Sequence, residues 1–220
     1  MSGVMRILIA TSNPHKVEEI QSTLASLPQP VRVQMIDLKS LGVFLAEPVE
    51  DQPTFEGNAV LKAKYYAAAT GLICLADDSG LEVDALGGEP GVISARYAGL
   101  TGPRSIIDPA NNRLLMHNLG ATPAAKRTAR FVCAMALCAP KQKEPLAVVR
   151  GTVEGRMLTL EEAGEEMKGR GKNGFGYDPL FFIPRLGKTT AELSPEEKNA
   201  ISHRGEATRL IAKAIENVMR

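Results

Sequence analysis

The run Leu72-Ile73-Cys74-Leu75 puts four apolar residues in a row and is followed at once by Ala76-Asp77-Asp78-Ser79-Gly80. A short apolar run bounded by turn-forming residues predicts a strand covered on both faces, as in the parallel part of an α/β sheet. The end of such a strand places acidic side chains at the rim of the sheet, where open α/β sheets bind ligands. Successive strand residues point to opposite faces, so one carboxylate faces a site while the other braces a neighbouring loop. Asp-Ser-Gly also suits a plain turn, because each residue favours turn geometry for local reasons. These five residues alone leave both readings open.

The segments before this strand repeat the α/β pattern. Arg6 to Thr11 reads as a first buried strand, and Val17, Ile20, Leu24 and Leu27 then recur at helical spacing. Between them, Asn13 suits the helix cap and Pro14 the first helical position, which leaves backbone N–H groups at a helix start with Lys16 just inside it. That is the make-up of an anion site, and equally of a well-capped helix with a solvent lysine. His15 reads as a surface histidine. Val31, Val33 and Met35 alternate as a second strand, Glu47 to Gln52 is an acidic loop, and a helix runs from near Thr54 to its stop at Gly71. Glu47, Glu50 and Asp51 are either solvated or lend a carboxylate to a cation near Asp78. Lys62 and Lys64 fall mid-helix, where lysine is usually exposed.

The chain has 220 residues, enough to bury roughly 70% of its unfolded surface in one domain or two packed lobes. With 26 basic and 25 acidic residues, no large net charge draws it to nucleic acid or a membrane surface, so any charged site must be local. Three cysteines do not make a disulfide framework, and Cys133 and Cys138 have opposite strand parity. Reduced, buried thiols fit a cytoplasmic protein. The run Ile7–Ala10 is too short for a signal segment, no stretch approaches a membrane span, and Met1 to Val4 reads as a leader or an alternative start.

Past the acidic strand, Leu81 to Leu86 alternates like a strand, and Pro90 to Tyr97 reads as an ordered loop. Asp108-Pro109 is expected to cap a helix ending at Gly120, and Arg130–Ala139 pairs with Leu146–Glu154 as a long antiparallel hairpin. Gly169-Arg170-Gly171-Lys172-Asn173-Gly174 matches GxGxxG, but no strand precedes it and no helix follows, so a mobile loop over a site is the better reading. Gly187-Lys188-Thr189 resembles the end of a Walker A loop, but Phe182 stands where its first glycine belongs. A strand is expected at Leu180–Ile183. Ser194-Pro195-Glu196-Glu197 is a capping-box helix start with Lys198 one residue on, and Ser202-His203-Arg204-Gly205 leads into a last helix through Val218. Taken singly, His203 and Arg204 read as surface residues.

Together these parts suit nucleotide chemistry: a helix-start anion site, carboxylates for a hard cation such as Mg²⁺, a glycine-rich loop with Phe175, and a polar His203-Arg204 pair. No cysteine–histidine cluster argues for zinc. The four motifs Thr11-Ser12-Asn13-Pro14-His15-Lys16, Ala76-Asp77-Asp78-Ser79-Gly80, Gly174-Phe175-Gly176-Tyr177-Asp178-Pro179 and Ser202-His203-Arg204-Gly205, in this order, resemble the signature of the Ham1-like inosine/xanthosine triphosphate pyrophosphatases. The likeness runs from Arg6 to the last helix. Maf proteins share the fold class, but their first motif differs from the Thr-x-Asn-x-x-Lys here.

The resemblance implies a single two-lobed α/β domain over residues 1–220, with a long central mixed sheet flanked by helices and a substrate cleft between the lobes. It implies hydrolysis of XTP, ITP and dITP to the monophosphate and pyrophosphate, with Mg²⁺, by a homodimer; a cytoplasmic location is expected from the reduced thiols, and no nucleic-acid or membrane partner from the near-zero net charge. Thr11, Ser12, Asn13, Pro14, His15 and Lys16 then hold the phosphates. Asp78 is metal ligand and general base, Glu50 a second metal carboxylate, Lys62 a phosphate contact and Ser79 a substrate contact. Phe175, Gly176, Tyr177 and Asp178 embrace the base, Lys198 contacts the nucleotide, and His203 and Arg204 read the purine's oxygen edge. Gly57 stands where several relatives carry a glutamate. Two other readings stay on the table: release of the γ-phosphate by the same fold, and an RNA-binding module using the basic glycine-rich loop.

Overall fold

A computed structural model describes residues 5–28, 33–42 and 45–218. Its centre is one mixed sheet of seven strands: β1 (Met5–Ile9), β2 (Val33–Asp37), β3 (Ile73–Val83), β4 (Thr128–Cys138), β5 (Ala147–Met157), β6 (Phe181–Ile183) and β7 (Lys188–Thr189), in the order β2-β1-β3-β4-β5-β6-β7. β1 runs parallel to both β2 and β3, and β6 is antiparallel to β5 and β7. Hydrogen bonds from Leu146 N–H to the Leu137 carbonyl (2.7 Å) and from Met157 N–H to the Arg127 carbonyl (2.9 Å) advance in opposite directions along β4 and β5, as the expected antiparallel hairpin requires. Val31 lies outside the described residues, so the second strand is seen from Val33.

The helices are α1 (Pro14–Ala25), α2 (Phe55–Thr70), α3 (Arg104–Leu119), α4 (Leu160–Ala163), α5 (Pro195–Ile201) and α6 (His203–Val218). Their ends follow local chemistry. Asn13 accepts the His15 N–H with Pro14 at the first position, Thr54 accepts the Gly57 N–H, and Gly71 closes α2 in the left-handed conformation. Ser194 and Glu197 exchange the two bonds of a capping box at α5.

The chain forms two compact units. One runs to Asp78, resumes at Cys133–Gly151 and includes the chain from Ser202 on; the other is Ser79–Val132 with Thr152–Ile201. The first is built on Ile7, Ile9, Leu75, Cys133, Met135 and Leu137 of the sheet, packed against Ile20 and Leu24 of α1 and Ile211 and Ile215 of α6. The second packs Leu81, Val83, Phe131 and Phe181 against Leu115, Met116 and Leu119 of α3. All three cysteines are buried and free; burial pushes Cys133 up to about 12 and Cys74 up to about 11, so neither is a ready nucleophile.

Four expectations are corrected. Asp77 to Gly80 make no turn: β3 passes straight through them to Val83, because both carboxylates find buried cations and need not reach the rim. Residues Asp84–Leu86, expected to extend the next strand, form a 3₁₀ turn closed by left-handed Gly87. Helix α3 starts at Arg104, before Asp108-Pro109; the bond Pro109 forfeits is the one to the Ser105 carbonyl, in an exposed residue that water can serve. The glycine-rich segment is stitched down, since Arg170 N–H bonds the Pro179 carbonyl and Lys172 and Asn173 N–H share that of Ala191.

Candidate active site

Strand parity sorts the two acidic residues of β3. Asp77 shares its parity with Leu75, which faces α1 and α6, whereas Asp78 lies on the other face with α2. Asp77 is 2% exposed and receives Lys16 of α1 at 3.0 Å and Arg204 of α6 at 3.4 Å. Arg204 also grips Glu19, one helical turn beyond Lys16, so Lys16, Asp77, Arg204 and Glu19 form a chain of alternating charges joining α1, β3 and α6. Burial opposes ionisation of Asp77, but Lys16, Arg204 and Lys62 more than offset it and hold the carboxyl well below the usual range. Its Oδ1 is buried without a hydrogen-bond partner among the described residues.

On the opposite face, Asp78 accepts the Asn58 side-chain N–H at 3.0 Å and lies 3.6 Å from Lys62 Nζ, which in turn holds Glu50 at 2.8 Å. Asn58 and Lys62 are i, i+4 neighbours on α2 and reach Asp78 together. Burial, with Glu50 adding to it, raises Asp78 above the ordinary carboxylate value against the pull of Lys62. Burial pulls Lys62 down, but Asp77, Asp78 and Glu50 outweigh it, so the ammonium stays charged. Of the three acidic residues of the loop, Glu50 is the one that shares a cation with Asp78; Glu47 accepts from Ser12, and Asp51 accepts from Gln52. No cluster of three or more candidate metal ligands of the His, Cys, Asp or Glu type occurs among the described residues. Two carboxylates meeting on one cation are, even so, an oxygen-only pair of the kind Mg²⁺ uses alongside substrate phosphates and water.

The rest of the first motif sits at the start of α1, where Thr11 Oγ1 accepts the Asn13 N–H and Pro14 and His15 are exposed. His203 and Arg204, read singly as surface residues, are buried at the start of α6, as Lys62 is in α2. Their burial depends on Gly151 of β5, where a Cβ would overlap the His203 carbonyl oxygen. Sequence reasoning did not find Asn58, Asp77 and Glu19 as site residues. The i, i+4 spacing of Asn58 and Lys62 was the available signal for the first, and the i, i+3 spacing of Lys16 and Glu19 for the last.

In the second unit, Ser79 is half-buried on β3 and the Gly174–Asp178 segment folds around one carboxylate. Asp178 Oδ2 accepts the Phe175 N–H at 2.8 Å and Lys198 Nζ at 2.6 Å, while its Oδ1 accepts the Thr190 hydroxyl at 2.8 Å. Gly174 is required there: its φ is +78°, and a Cβ would overlap Asp178 Oδ2. Tyr177 donates its hydroxyl to the Ser94 carbonyl at 2.9 Å, and the Phe175 ring has the Lys198 ammonium 5.3 Å from its centroid.

A mixed seven-stranded sheet flanked by helices, with carboxylate–cation pairs on both faces of β3, defines an α/β protein. The Ham1 family model matches residues 7–214. The chain is 48% identical over 211 residues to a dITP/XTP pyrophosphatase of Exiguobacterium sibiricum, covering 96% of this chain and 97% of that relative. It is 42% identical over 214 residues to one of Salmonella paratyphi A, covering 97% and 100%. Among solved structures, a HAM1 protein from Coxiella burnetii aligns with a TM-score of 0.81 at 36% identity, over 97% of this chain and all of that one. The Staphylococcus aureus Ham1 protein aligns at 0.78 and 39% identity, over 96% and 98%. The chain belongs to the Ham1 family.

Proposed function

We propose that this protein hydrolyses the non-canonical purine nucleoside triphosphates XTP, ITP and dITP to the nucleoside monophosphate and pyrophosphate, removing damaged purines from the nucleotide pool. The observation that carries the reading is the Glu50–Lys62–Asp78 arrangement in a chain nearly half identical, end to end, to a dITP/XTP pyrophosphatase.

Asp78 and Glu50 are the residues that would hold Mg²⁺, which, when bound, supplies a Lewis acid for the phosphate oxygens and a more acidic water. Asp78 accepts the proton of the water that attacks the α-phosphorus; its desolvation makes it a stronger base than an exposed aspartate. The α–β phosphoanhydride bond breaks, and Lys62 and Lys16 offset the charge gathering on the departing pyrophosphate. Thr11 to Lys16 bind phosphate, with Asp77 holding the Lys16 ammonium in place. Ser79, Phe175 to Asp178 and Lys198 contact the nucleotide. His203 donates to the 6-oxo group, which adenine's amino group cannot accept; a mismatch of required polar partners costs about 10⁴-fold. Arg204 is 2% exposed and committed to Asp77 and Glu19, so it serves by fixing the start of α6. Guanine is excluded by contacts near Ser79 or the Phe175 turn. The active form is a cytoplasmic homodimer; no helix among the described residues is long and apolar enough to cross a membrane.

The test is a product assay with Mg²⁺ on ITP, ATP and GTP, scoring pyrophosphate and orthophosphate separately, with Asp78→Asn as control and chelator as a further arm. Pyrophosphate from ITP alone, lost in the variant and with chelator, supports the reading. Orthophosphate as product would assign γ-phosphate release, and equal hydrolysis of ITP and GTP would remove the specificity argument.

A further inference from the structure

The nucleobase reading of Phe175 leaves open what holds its ring in place. Arg104, Asp108 and Asn112 follow one another at i, i+4 and i+8 on α3 and so form one stripe along the helix. Asp108 Oδ2 accepts the Gly176 N–H at 2.9 Å, and Asn112 Nδ2 donates to the Gly176 carbonyl at 3.0 Å. Both polar groups of a single loop residue are thus gripped by two side chains one helical turn apart. Gly176 itself has φ +61°, a left-handed conformation that leaves its two peptide groups splayed toward the helix. At the head of the stripe, the Arg104 guanidinium lies 5.0 Å from the Phe175 ring centroid and 3.4 Å from Asp108 Oδ1. The ring therefore carries two cations, Arg104 and Lys198, and its own N–H is held by Asp178.

We propose that Arg104, Asp108 and Asn112 are positioning residues that hold the Phe175–Gly176 turn, and with it the aromatic platform, in the orientation that receives the purine. The proposal rests on the nucleotide reading of Phe175. It rests on the contacts themselves: α3 commits a carboxylate, an amide and a guanidinium to two consecutive residues of the turn. The Asn112 amide serves the Gly176 carbonyl, while its Oδ1 is buried with no hydrogen-bond partner among the described residues. Pre-organising the platform acts on substrate binding, because ordering the turn is then not charged against each binding event. The reacting atoms are elsewhere, so turnover is spared.

The chain contains no tryptophan, so Phe175→Trp supplies a single fluorescent reporter at the platform. Two measurements are made in the full chain. In the first, Asn112→Leu, Asn112→Asp and Arg104→Gln are assayed on ITP with Mg²⁺. KM is expected to rise about 3- to 10-fold for either Asn112 variant, the scale of one lost hydrogen bond, with kcat within about twofold of the parent. In the second, the fluorescence anisotropy of the indole introduced by Phe175→Trp is read with and without Asn112→Leu, and is expected to fall when the clamp is cut. Should Asn112→Leu not fold, Asn112→Asp carries both arms, since it keeps the shape and sets a carboxylate against the Gly176 carbonyl. Unchanged KM together with unchanged anisotropy overturns the proposal, as does a loss confined to kcat. A parent protein inactive on ITP would instead defeat the functional reading, while the anisotropy arm would still decide whether α3 restrains the turn.

Discussion

Lys62 Nζ stands between two carboxylates from different parts of the chain, 2.8 Å from Glu50 in the acidic loop and 3.6 Å from Asp78 in β3. The ammonium is the counter-ion that Asp78, mostly desolvated, shares with Glu50. Lys62→Met removes it and leaves Glu50 and Asp78 to repel one another. Destabilisation of about 2–3 kcal/mol is expected, somewhat under the usual range for breaking a buried pair because Glu50 is partly solvated. Pyrophosphate release from ITP should fall about 100-fold or more, as when a charge-stabilising group is removed from a reacting centre. Urea unfolding and the product assay read the two effects; retention of either full stability or full activity contradicts this account.

Asp77 is predicted to matter more for the fold than Asp78. It answers two cations at once in a fully buried position, so Asp77→Asn takes the carboxylate from Lys16 and removes one of the two carboxylates that Arg204 shares with Glu19. A loss of about 3–5 kcal/mol is expected by urea unfolding. Asp78→Asn keeps the Asn58 contact region and removes a carboxylate whose ionisation burial already disfavours, so its stability should lie close to wild type while its activity is lost. The pair of unfolding curves checks the ordering, and equal destabilisation by both variants would count against it.

How much of this was legible in the sequence depends on whether a residue's role is set locally. The caps at Asn13, Thr54 and Ser194 and the stop at Gly71 were readable because each satisfies backbone groups within four residues. The GxGxxG match was readable as no dinucleotide loop because no strand precedes it and no helix follows, and the Gly187-Lys188-Thr189 match as no Walker A loop because Phe182 takes the place of its first glycine. The course of β3 through Asp77-Asp78-Ser79-Gly80 was not readable. Turn propensity there is overridden by Lys16 and Arg204 on one face and Lys62 and Asn58 on the other, all far away in sequence. The burial of His203 and Arg204 is hidden likewise, since it depends on the missing side chain of Gly151. Asp108-Pro109 misled because a good local start signal lay inside a helix that begins one turn earlier.

Glu162 gives a pH signature away from the proposed site. Its carboxylate takes both terminal nitrogens of Arg156, at 2.7 and 2.6 Å, and the Thr159 N–H at 2.8 Å. The Arg156 hydrogen bonds, joined by those to Thr159, hold it down at about 2, below its ordinary 4.5. A depressed carboxyl contributes stability that is present above its unfolded value and lost as pH falls through its folded one. Glu162 is partly exposed, so the screened contribution is on the order of 0.5–1 kcal/mol. Glu162→Gln should therefore unfold at lower urea than wild type at pH 6, and the gap should shrink steadily between pH 4.5 and pH 2. A gap independent of pH over that window would assign the difference to packing.

Two glycines of the aromatic turn are predicted to differ in what they tolerate, although both have positive φ. At Gly176, φ is +61° and nothing lies within 4 Å of where a Cβ would be, so Gly176→Ala meets only the left-handed backbone cost of about 1–2 kcal/mol. At Gly174 the same backbone cost, at φ +78°, is joined by a Cβ that would overlap Asp178 Oδ2 and come within 3.0 Å of Lys198 Nζ. Gly174→Ala must therefore push Asp178 off the Phe175 N–H or off Lys198, and both bonds serve the turn proposed to hold the base. The expected result is a larger loss of stability, by about 1 kcal/mol or more beyond Gly176→Ala, together with a raised KM for ITP that Gly176→Ala shows only weakly. If the two variants behaved alike in both measurements, backbone conformation alone would set the tolerance of the turn, and the Asp178 carboxylate would not be the point around which it folds.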